Sequence, residues 1–209
     1  MLYLNQQKML QNKLIIFVKN EEAGKVKTRL AKSVGNEKAL EIYRKLLGYT
    51  FDQVQPLKVK KEVCYSRFIE EDDLWNEGSY SKQLQEGDGL GERMSKAFRR
   101  SFEKGMKRVV IIGSDCAELT TDILREAFSR LKDHDIVIGP AGDGGYYLLG
   151  MSKFIPELFT DISWSTGAVL KQTLKKADEE KATHYKLQEL RDVDIEADWE
   201  LVKHKFEPE

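Results

Sequence analysis

A three-layer α/β/α sandwich around a mostly parallel sheet is the fold class this sequence predicts, and three observations predict it. Short runs that are apolar on both faces, Leu14–Val18 and Val109–Ile112, read as buried strands. Amphipathic helical stripes separate them, as right-handed crossovers between parallel strands require. After Pro140 the pattern changes, because Ala141-Gly142-Asp143-Gly144-Gly145 is a turn that leads straight into a further extended run.

The elements follow in chain order. Strand Leu14–Val18 runs into a loop rich in Lys and Gly, after which Asn36 is a candidate cap for a helix carrying Ala39, Leu40, Tyr43, Leu46 and Leu47 at helical spacing. Glu62–Tyr65 reads as the second strand, followed by a polar stretch. Leu90, Met94, Ala97, Phe98 and Phe102 then mark a helix that ends near Gly105. Beyond Val109–Ile112, Thr120 and Thr121 can cap a helix with the stripe Ile123, Leu124, Ala127, Phe128 and Leu131. Asp135–Gly139 and Tyr146–Leu149 form a strand pair in place of a helical crossover. A helix from about Thr166 to Ala177, a strand near His184–Leu187 and a helix from about Ala197 complete the pattern.

A chain of 209 residues with 41% hydrophobic side chains can bury a core, and no repeat or Pro-rich linker divides it, so a single domain over 1–209 is expected, with 1–12 a flexible N-terminus. The 34 Lys and Arg nearly cancel the 35 Asp and Glu, which excludes a global field drawing the molecule onto nucleic acid. No apolar run approaches the roughly 20 residues of a membrane span, and no secretory leader is visible, so a cytoplasmic location is expected. The two cysteines, Cys64 and Cys116, form no CxxC motif and are expected to be buried thiols. His134, His184 and His204 share no paired spacing and read as surface or structural residues.

Chemistry concentrates at strand ends. Lys19, Lys25, Lys27 and Arg29 fall within eleven residues around Gly24, just past the first strand, where open α/β sheets bind ligands. Such cations clamp phosphate oxygens, Arg as a bidentate fork and Lys as a mobile point charge, although a solvated charged loop has the same letters. Asp115 follows the buried strand ending at Ile112 and suits Mg²⁺ or Mn²⁺ shared with phosphate, or else caps the next turn. Asp143 stands between glycines, open to a ligand or merely forming an Asp-Gly turn. Asp192 and Asp194 alternate after the last strand; either completes a metal site or caps the final helix. Gly87-Asp88-Gly89-Leu90-Gly91-Glu92 is no GxGxxG, since Glu92 takes the third glycine's place and no strand is evident before it, and GxxxxGK[ST], HExxH and GxSxG are absent.

Taken together, Phe17-Val18-Lys19, Gly24–Leu30, Gly91-Glu92-Arg93-Met94, Ile112–Cys116, Pro140–Tyr146 and Trp164-Ser165 resemble a bacterial and archaeal family of glycosyltransferase-A-like proteins. That family, a former domain of unknown function, belongs to the nucleotide-diphospho-sugar transferase superfamily and includes members called arsenosugar-biosynthesis glycosyltransferases. More distantly, the motifs are similar to guanylyltransferases of cofactor F420 and molybdenum cofactor synthesis. The resemblance covers roughly residues 13–195. It implies a GT-A type sheet, nucleotide phosphates held by Lys19, Lys27 and Arg29 around Gly24, a divalent metal on Asp115, and a base contacted by Gln85 and Gly87. Two departures stand out: the family's Asp-Leu-Gly is Gly89-Leu90-Gly91 here, with the acid at Asp88, and the proline after Ser-Asp-Cys is Ala117.

The expected function is therefore metal-dependent transfer from a nucleotide-activated donor, foremost glycosyl transfer from a nucleotide-diphospho-sugar. Nucleotidyl transfer releasing pyrophosphate is the alternative, and a non-catalytic nucleotide-binding module is the third reading. Asp143, Lys27 and Arg29 make up the expected catalytic set, and Asp115 with Asp194 the expected Mg²⁺ or Mn²⁺ ligands. The partners are then a nucleotide or nucleotide-sugar donor and a small-molecule acceptor, with a homodimer as a candidate assembly and no nucleic acid or membrane span.

Overall fold

The computed structural model describes residues 11–77 and 79–207. Seven strands form one sheet: β1 (Asn12–Val18), β2 (Lys60–Tyr65), β3 (Tyr80–Leu84), β4 (Arg108–Ile112), β5 (Ile136–Pro140), β6 (Tyr146–Met151) and β7 (His184–Lys186), in the order β3-β2-β1-β4-β6-β5-β7. Neighbours pair in parallel except around β6, which runs antiparallel to both β4 and β5. The strand pair expected around the Gly142–Gly145 turn is β5 and β6, with a register shift at Gly139/Pro140.

Among the described residues six α-helices accompany the sheet: α1 (Thr28–Val34), α2 (Asn36–Val54), α3 (Leu90–Glu103), α4 (Thr121–Arg130), α5 (Val169–Glu179) and α6 (Glu196–Val202). Strand alternation divides the core in two. Leu14, Ile16, Val110 and Ile112 face Leu40, Tyr43 and Leu47 of α2 and Leu124 and Phe128 of α4. Ile15, Val109, Ile111 and Leu149 pack with Met94, Ala97 and Phe98 of α3 and Ala177 of α5. A third cluster, Leu30, Ile42, Leu46, Ala117, Val193 and Trp199, fastens α1 and α6 behind α2. Sheet and flanking helices thus form the expected three layers. No helix of the described residues is long and apolar enough to cross a membrane.

Four local expectations are corrected. Tyr80–Leu84, read as part of a polar stretch, is an edge strand that among the described residues pairs with β2 alone, and edge strands carry polar and charged residues such as Ser81 and Lys82 without loss. The segment before Gly87 is therefore a strand after all. Thr28–Val34 forms α1 instead of continuing the loop; with seven residues and only Leu30 fully buried, it leaves no periodic stripe. Asn36 is the first residue of α2, and Gly35, at φ 85°, occupies the cap position that suits glycine. Asn12 belongs to β1, paired with Arg108, while residues 1–10 lie outside the described residues. Thr120 caps α4 as expected, its Oγ1 accepting from the Ile123 amide at 3.3 Å.

Candidate active site

The sheet reverses its winding between β1 and β4, because the chain steps outward from β1 to β2 and β3 and then returns to β1's other side. At such a switch point the loops leaving the carboxyl ends diverge and open a crevice. A cleft of about 790 Å³ lies there, walled by the loops after β1, β3, β4 and β5 and by Asp192 and Asp194.

Tyr43 of α2 holds two of these loops in register. Its hydroxyl accepts from the Lys19 amide at 2.8 Å, donates to the Lys19 carbonyl at 3.0 Å and lies 3.3 Å from Ser114 Oγ. Burial pushes this phenol well above its ordinary range, with the Asp115 charge adding to the effect, so it stays protonated as a donor. The backbone that presents Lys19 and the backbone that presents Asp115 are thereby tied to a single buried side chain.

The charged centre is compact. Lys27 Nζ lies 3.0 Å from Asp115 Oδ2 and 3.6 Å from Asp194 Oδ1, and Arg29 Nη1 lies 3.5 Å from Asp194 Oδ2. Lys27 is only 6% exposed, whereas the side chains of both aspartates, which line the cleft, are partly exposed. Its backbone takes a left-handed conformation, φ 46°, directly before α1, a strain of about 1–3 kcal/mol that concentrates at functional sites. Asp192 lies close by: burial, then the charges of Asp115, Asp194 and Asp143, push its carboxyl up to about 7 against the opposing pull of Lys27.

The alternative of Asp192 or Asp194 capping the final helix is resolved by Asp198, whose Oδ2 accepts from the amides of Asp194 and Ile195, at 3.1 Å each. Asp194's carboxylate is free of that duty and turns to Lys27 and Arg29. Nor does Asp115 cap its turn, since its carboxylate pairs with Lys27.

Lys19, Lys27, Arg29, Gln85, Asp115, Asp143 and Asp194 all line the cleft, but Gly24 and Gly87 do not. Gly24, at φ 75°, packs beside Asn36, and Gly87, at φ 132°, gives its carbonyl to Arg93 Nε at 2.8 Å; both shape turns behind the wall. Gln85 donates its amide nitrogen to the carbonyls of Val18 at 3.1 Å and Cys64 at 2.8 Å, bracing the ends of β1 and β2. Asp143 Oδ1 accepts from the Gly145 amide at 2.8 Å, so the carboxylate is both a turn-former and a cleft group. Arg93, Ser66, Thr166, and Ser165 with its positive φ of 62°, are among the lining positions to which the sequence analysis gives no role in the site. Trp164-Ser165 and Gly91–Met94 were conspicuous as letters only; nothing in their spacing placed them at one wall. The three histidines lie elsewhere, and Cys64 and Cys116 are free, buried thiols, each pushed up to about 12 by burial.

Two oxygen-donor side chains, Asp115 and Asp194, converge on one cation position, which fits a hard divalent ion completed by water and phosphate. Among the described residues no group of three or more His, Cys, Asp or Glu side chains is arranged to hold a metal unaided. Two carboxylates alone are too few for a closed structural metal site.

No curated protein matches this sequence significantly. Among solved structures, the chain is similar to a protein from Desulfovibrio desulfuricans G20 assigned as a nucleotide-diphospho-sugar transferase, with 35% identity, a TM-score of 0.82, and coverage of 90% of this chain and 84% of that one. It shares its fold with 4-diphosphocytidyl-2C-methyl-D-erythritol synthase from Anaerococcus prevotii, at 8% identity, TM-score 0.61 and coverage of 96% and 97%. The same fold appears in Rv0371c of Mycobacterium tuberculosis H37Rv in complex with manganese, at 13% identity, TM-score 0.55 and coverage of 92% and 97%. The sheet is thus that of the nucleotide-diphospho-sugar transferases, and with a family profile matching residues 50–166, the chain belongs to the family described as an uncharacterized protein conserved in bacteria, DUF2064.

Proposed function

We propose that the protein is a transferase that uses a nucleotide-diphospho-sugar and delivers its glycosyl group to a small hydroxylated acceptor. The observation that carries this reading is the convergence of Lys27, Arg29, Asp115 and Asp194 at the carboxyl ends of β1 and β4. Two cations and two carboxylates within salt-bridge reach suit one substrate feature, a diphosphate whose charge grows as it leaves. The relative from Desulfovibrio desulfuricans, assigned as a nucleotide-diphospho-sugar transferase, supports the substrate class.

In this scheme Asp115 and Asp194 hold Mg²⁺ or Mn²⁺, which when bound neutralises diphosphate oxygens. Arg29, exposed at the mouth of α1, forks onto phosphate oxygens, and Lys27 supplies a second positive charge from within. Lys19 adds a cation at the end of β1, and Gln85, fixed by two carbonyls, forms a rigid floor beside the nucleotide. Asp143 accepts the proton of the acceptor hydroxyl as its oxygen bonds to the sugar carbon and the bond to the diphosphate breaks.

A second reading, nucleotidyl transfer, is favoured by the position of Lys27 and Arg29 at the start of α1. Two cations on one short element are well placed for the β- and γ-phosphates of a nucleoside triphosphate, which leave as pyrophosphate. Incubation with Mg²⁺, a panel of nucleotide-sugars or nucleoside triphosphates, and hydroxylated acceptors separates the two. Nucleoside diphosphate released from a sugar nucleotide supports glycosyl transfer, and pyrophosphate released from a triphosphate replaces it with nucleotidyl transfer. Tight nucleotide binding without any product leaves a binding module.

A further inference from the structure

Lys27 stands where a resident cation is needed. Its ammonium lies within 3.6 Å of both Asp115 Oδ2 and Asp194 Oδ1, the donors assigned above to the divalent ion. Yet Nζ, buried and turned toward the cleft, makes no hydrogen bond of acceptable geometry with any described residue. A purely structural pair in the same molecule looks different: Lys13 Nζ, equally buried, donates to Glu62 Oε2 at 2.8 Å with good geometry. The strained φ of 46° at Lys27 is a further sign that this side chain is placed for something other than a relaxed ion pair.

We propose that Lys27 is an internal counter-ion that competes with the divalent cation for Asp115 and Asp194, so that cation binding and phosphate binding are positively coupled through its side chain. The proposal rests on the metal assignment of the preceding section. Without a phosphate, the ammonium neutralises the two carboxylates and disfavours a second positive charge beside them. A phosphate oxygen offers Lys27 a new partner, its charge leaves the carboxylates, and they become available to the metal. By linkage the metal, once bound, strengthens phosphate binding by the same factor. The cleft would thus stay charge-balanced in both states, and no bare triad of Asp115, Asp192 and Asp194 would be left unneutralised.

The test is a Mn²⁺ titration without nucleotide, followed by the electron paramagnetic resonance signal of the free ion, on wild type and Lys27→Met. The expected result is tighter Mn²⁺ binding by the variant, by about 5–150-fold, the usual range of a coupling between sites. Inorganic phosphate should tighten Mn²⁺ binding to wild type by a larger factor than to Lys27→Met, because the variant keeps only the coupling made by direct contact of metal and phosphate. Wild type that binds Mn²⁺ with phosphate, alongside a variant that binds it no better than wild type alone, overturns the competition and leaves the metal assignment standing. Absence of Mn²⁺ binding to either protein, with or without phosphate, overturns both. Should Lys27→Met not fold, acetic anhydride labelling of wild type read by mass spectrometry decides: Lys27 should be protected alone and modified several-fold faster with saturating Mn²⁺. Unchanged labelling with Mn²⁺ bound overturns the proposal.

Discussion

Gly91, in the first turn of α3, lies directly against the indole of Trp164, and a Cβ at residue 91 would stand 2.2 Å from that ring. Two motifs separated by more than seventy residues therefore meet at one wall of the cleft, where Leu90 and Ser165 also lie. Trp164 stacks in turn on Phe159, at 6.4 Å between centroids, so the indole has little room to retreat. Gly91→Ala should cost about 1–3 kcal/mol by overpacking, lowering Tm by roughly 2–12 °C for a chain of this size. Tryptophan emission should shift with it. An unaltered Tm and spectrum would show that the two residues do not touch in solution.

The proposed cation site at Asp115 and Asp194 requires that ligand stabilisation be metal-dependent. Saturating Mg²⁺ or Mn²⁺ with nucleotide should raise the stability of wild type by about 2.7 kcal/mol when ligand is a hundredfold above Kd. Asp115→Asn removes a charge but not the shape, so the fold should survive while the metal-dependent part of the thermal shift disappears, and chelation should do the same to wild type. Asp194→Asn should act alike, since the cap of α6 belongs to Asp198 and is untouched. Full metal-dependent shifts in both variants would remove the cation from these two residues.

Arg29 has its side chain 66% exposed and only a long contact, 3.5 Å, to Asp194. Such a surface pair contributes little to folding, about 0–1 kcal/mol, so its loss should be visible in binding and not in Tm. Arg29→Ala should weaken nucleotide binding by about tenfold or more, the worth of a charge-assisted contact of roughly 1.5–3 kcal/mol. Arg29→Lys should recover only part of this, because an ammonium cannot offer the planar fork. Calorimetric titration with nucleotide measures both, and wild-type affinity in Arg29→Ala would mark the residue as solvated surface.

Legibility of this chain from its letters followed burial. The central strands β1 and β4, whose residues are apolar on both faces, and the helices α2, α3 and α4, with their periodic stripes, could be read directly. The edge strand β3 could not, because with one hydrogen-bonded neighbour it needs no apolar pattern, and α1 could not, because one buried leucine makes no period. At the site, strand-end position was the useful signal and brought Lys19, Lys27, Arg29 and Asp115 to one crevice. What no local pattern carried was pairing across the chain: that Lys27 is buried between two carboxylates and that Gln85 spends its amide on backbone carbonyls are consequences of crossings between distant segments, whereas the cap of α6 by Asp198 is local. Glycines misled, since Gly24 and Gly87 serve the curvature of the wall and not its surface.

Away from the cleft, Glu62 of β2 is almost fully buried and receives Lys13 Nζ and Arg100 Nη2, both at 2.8 Å. Burial alone would push this carboxyl up, but the hydrogen bonds and charges of Lys13 and Arg100 outweigh it and hold it below the ordinary glutamate value. A depressed folded-state value means that this stabilisation is present above the unfolded pKa and is lost as the pH falls through the folded one. Glu62→Gln leaves the buried Lys13 short of a counter-charge, while Arg100 keeps Glu86 at 3.5 Å, and should cost about 3–5 kcal/mol at pH 7. The gap between variant and wild type should narrow as the pH drops below about 4.3, where the unfolded glutamate protonates. Denaturant titrations at pH 7, 5 and 3 measure it; a pH-independent difference would mean that charge is not the origin.

Asp143 offers the sharpest separation of shape from chemistry. Its Oδ1 accepts the Gly145 amide at 2.8 Å, and the following Gly144, at φ 86°, brings a Cβ position within 2.3 Å of the Gly167 carbonyl, so this turn is fixed on both sides. Asparagine keeps the Oδ1 acceptor and hence the turn, but it cannot take a proton. If Asp143 receives the acceptor's proton, Asp143→Asn should lower kcat by about 10²–10⁴-fold with nucleotide affinity nearly unchanged. Asp143→Ala, which also loses the turn contact, should add a fall in Tm. Three outcomes separate the roles. Loss of kcat in both variants with Tm lowered only in Ala supports the base, weakened metal-dependent nucleotide binding in Asn makes Asp143 a ligand of the cation, and unchanged kcat with a lowered Tm in Ala leaves only the turn.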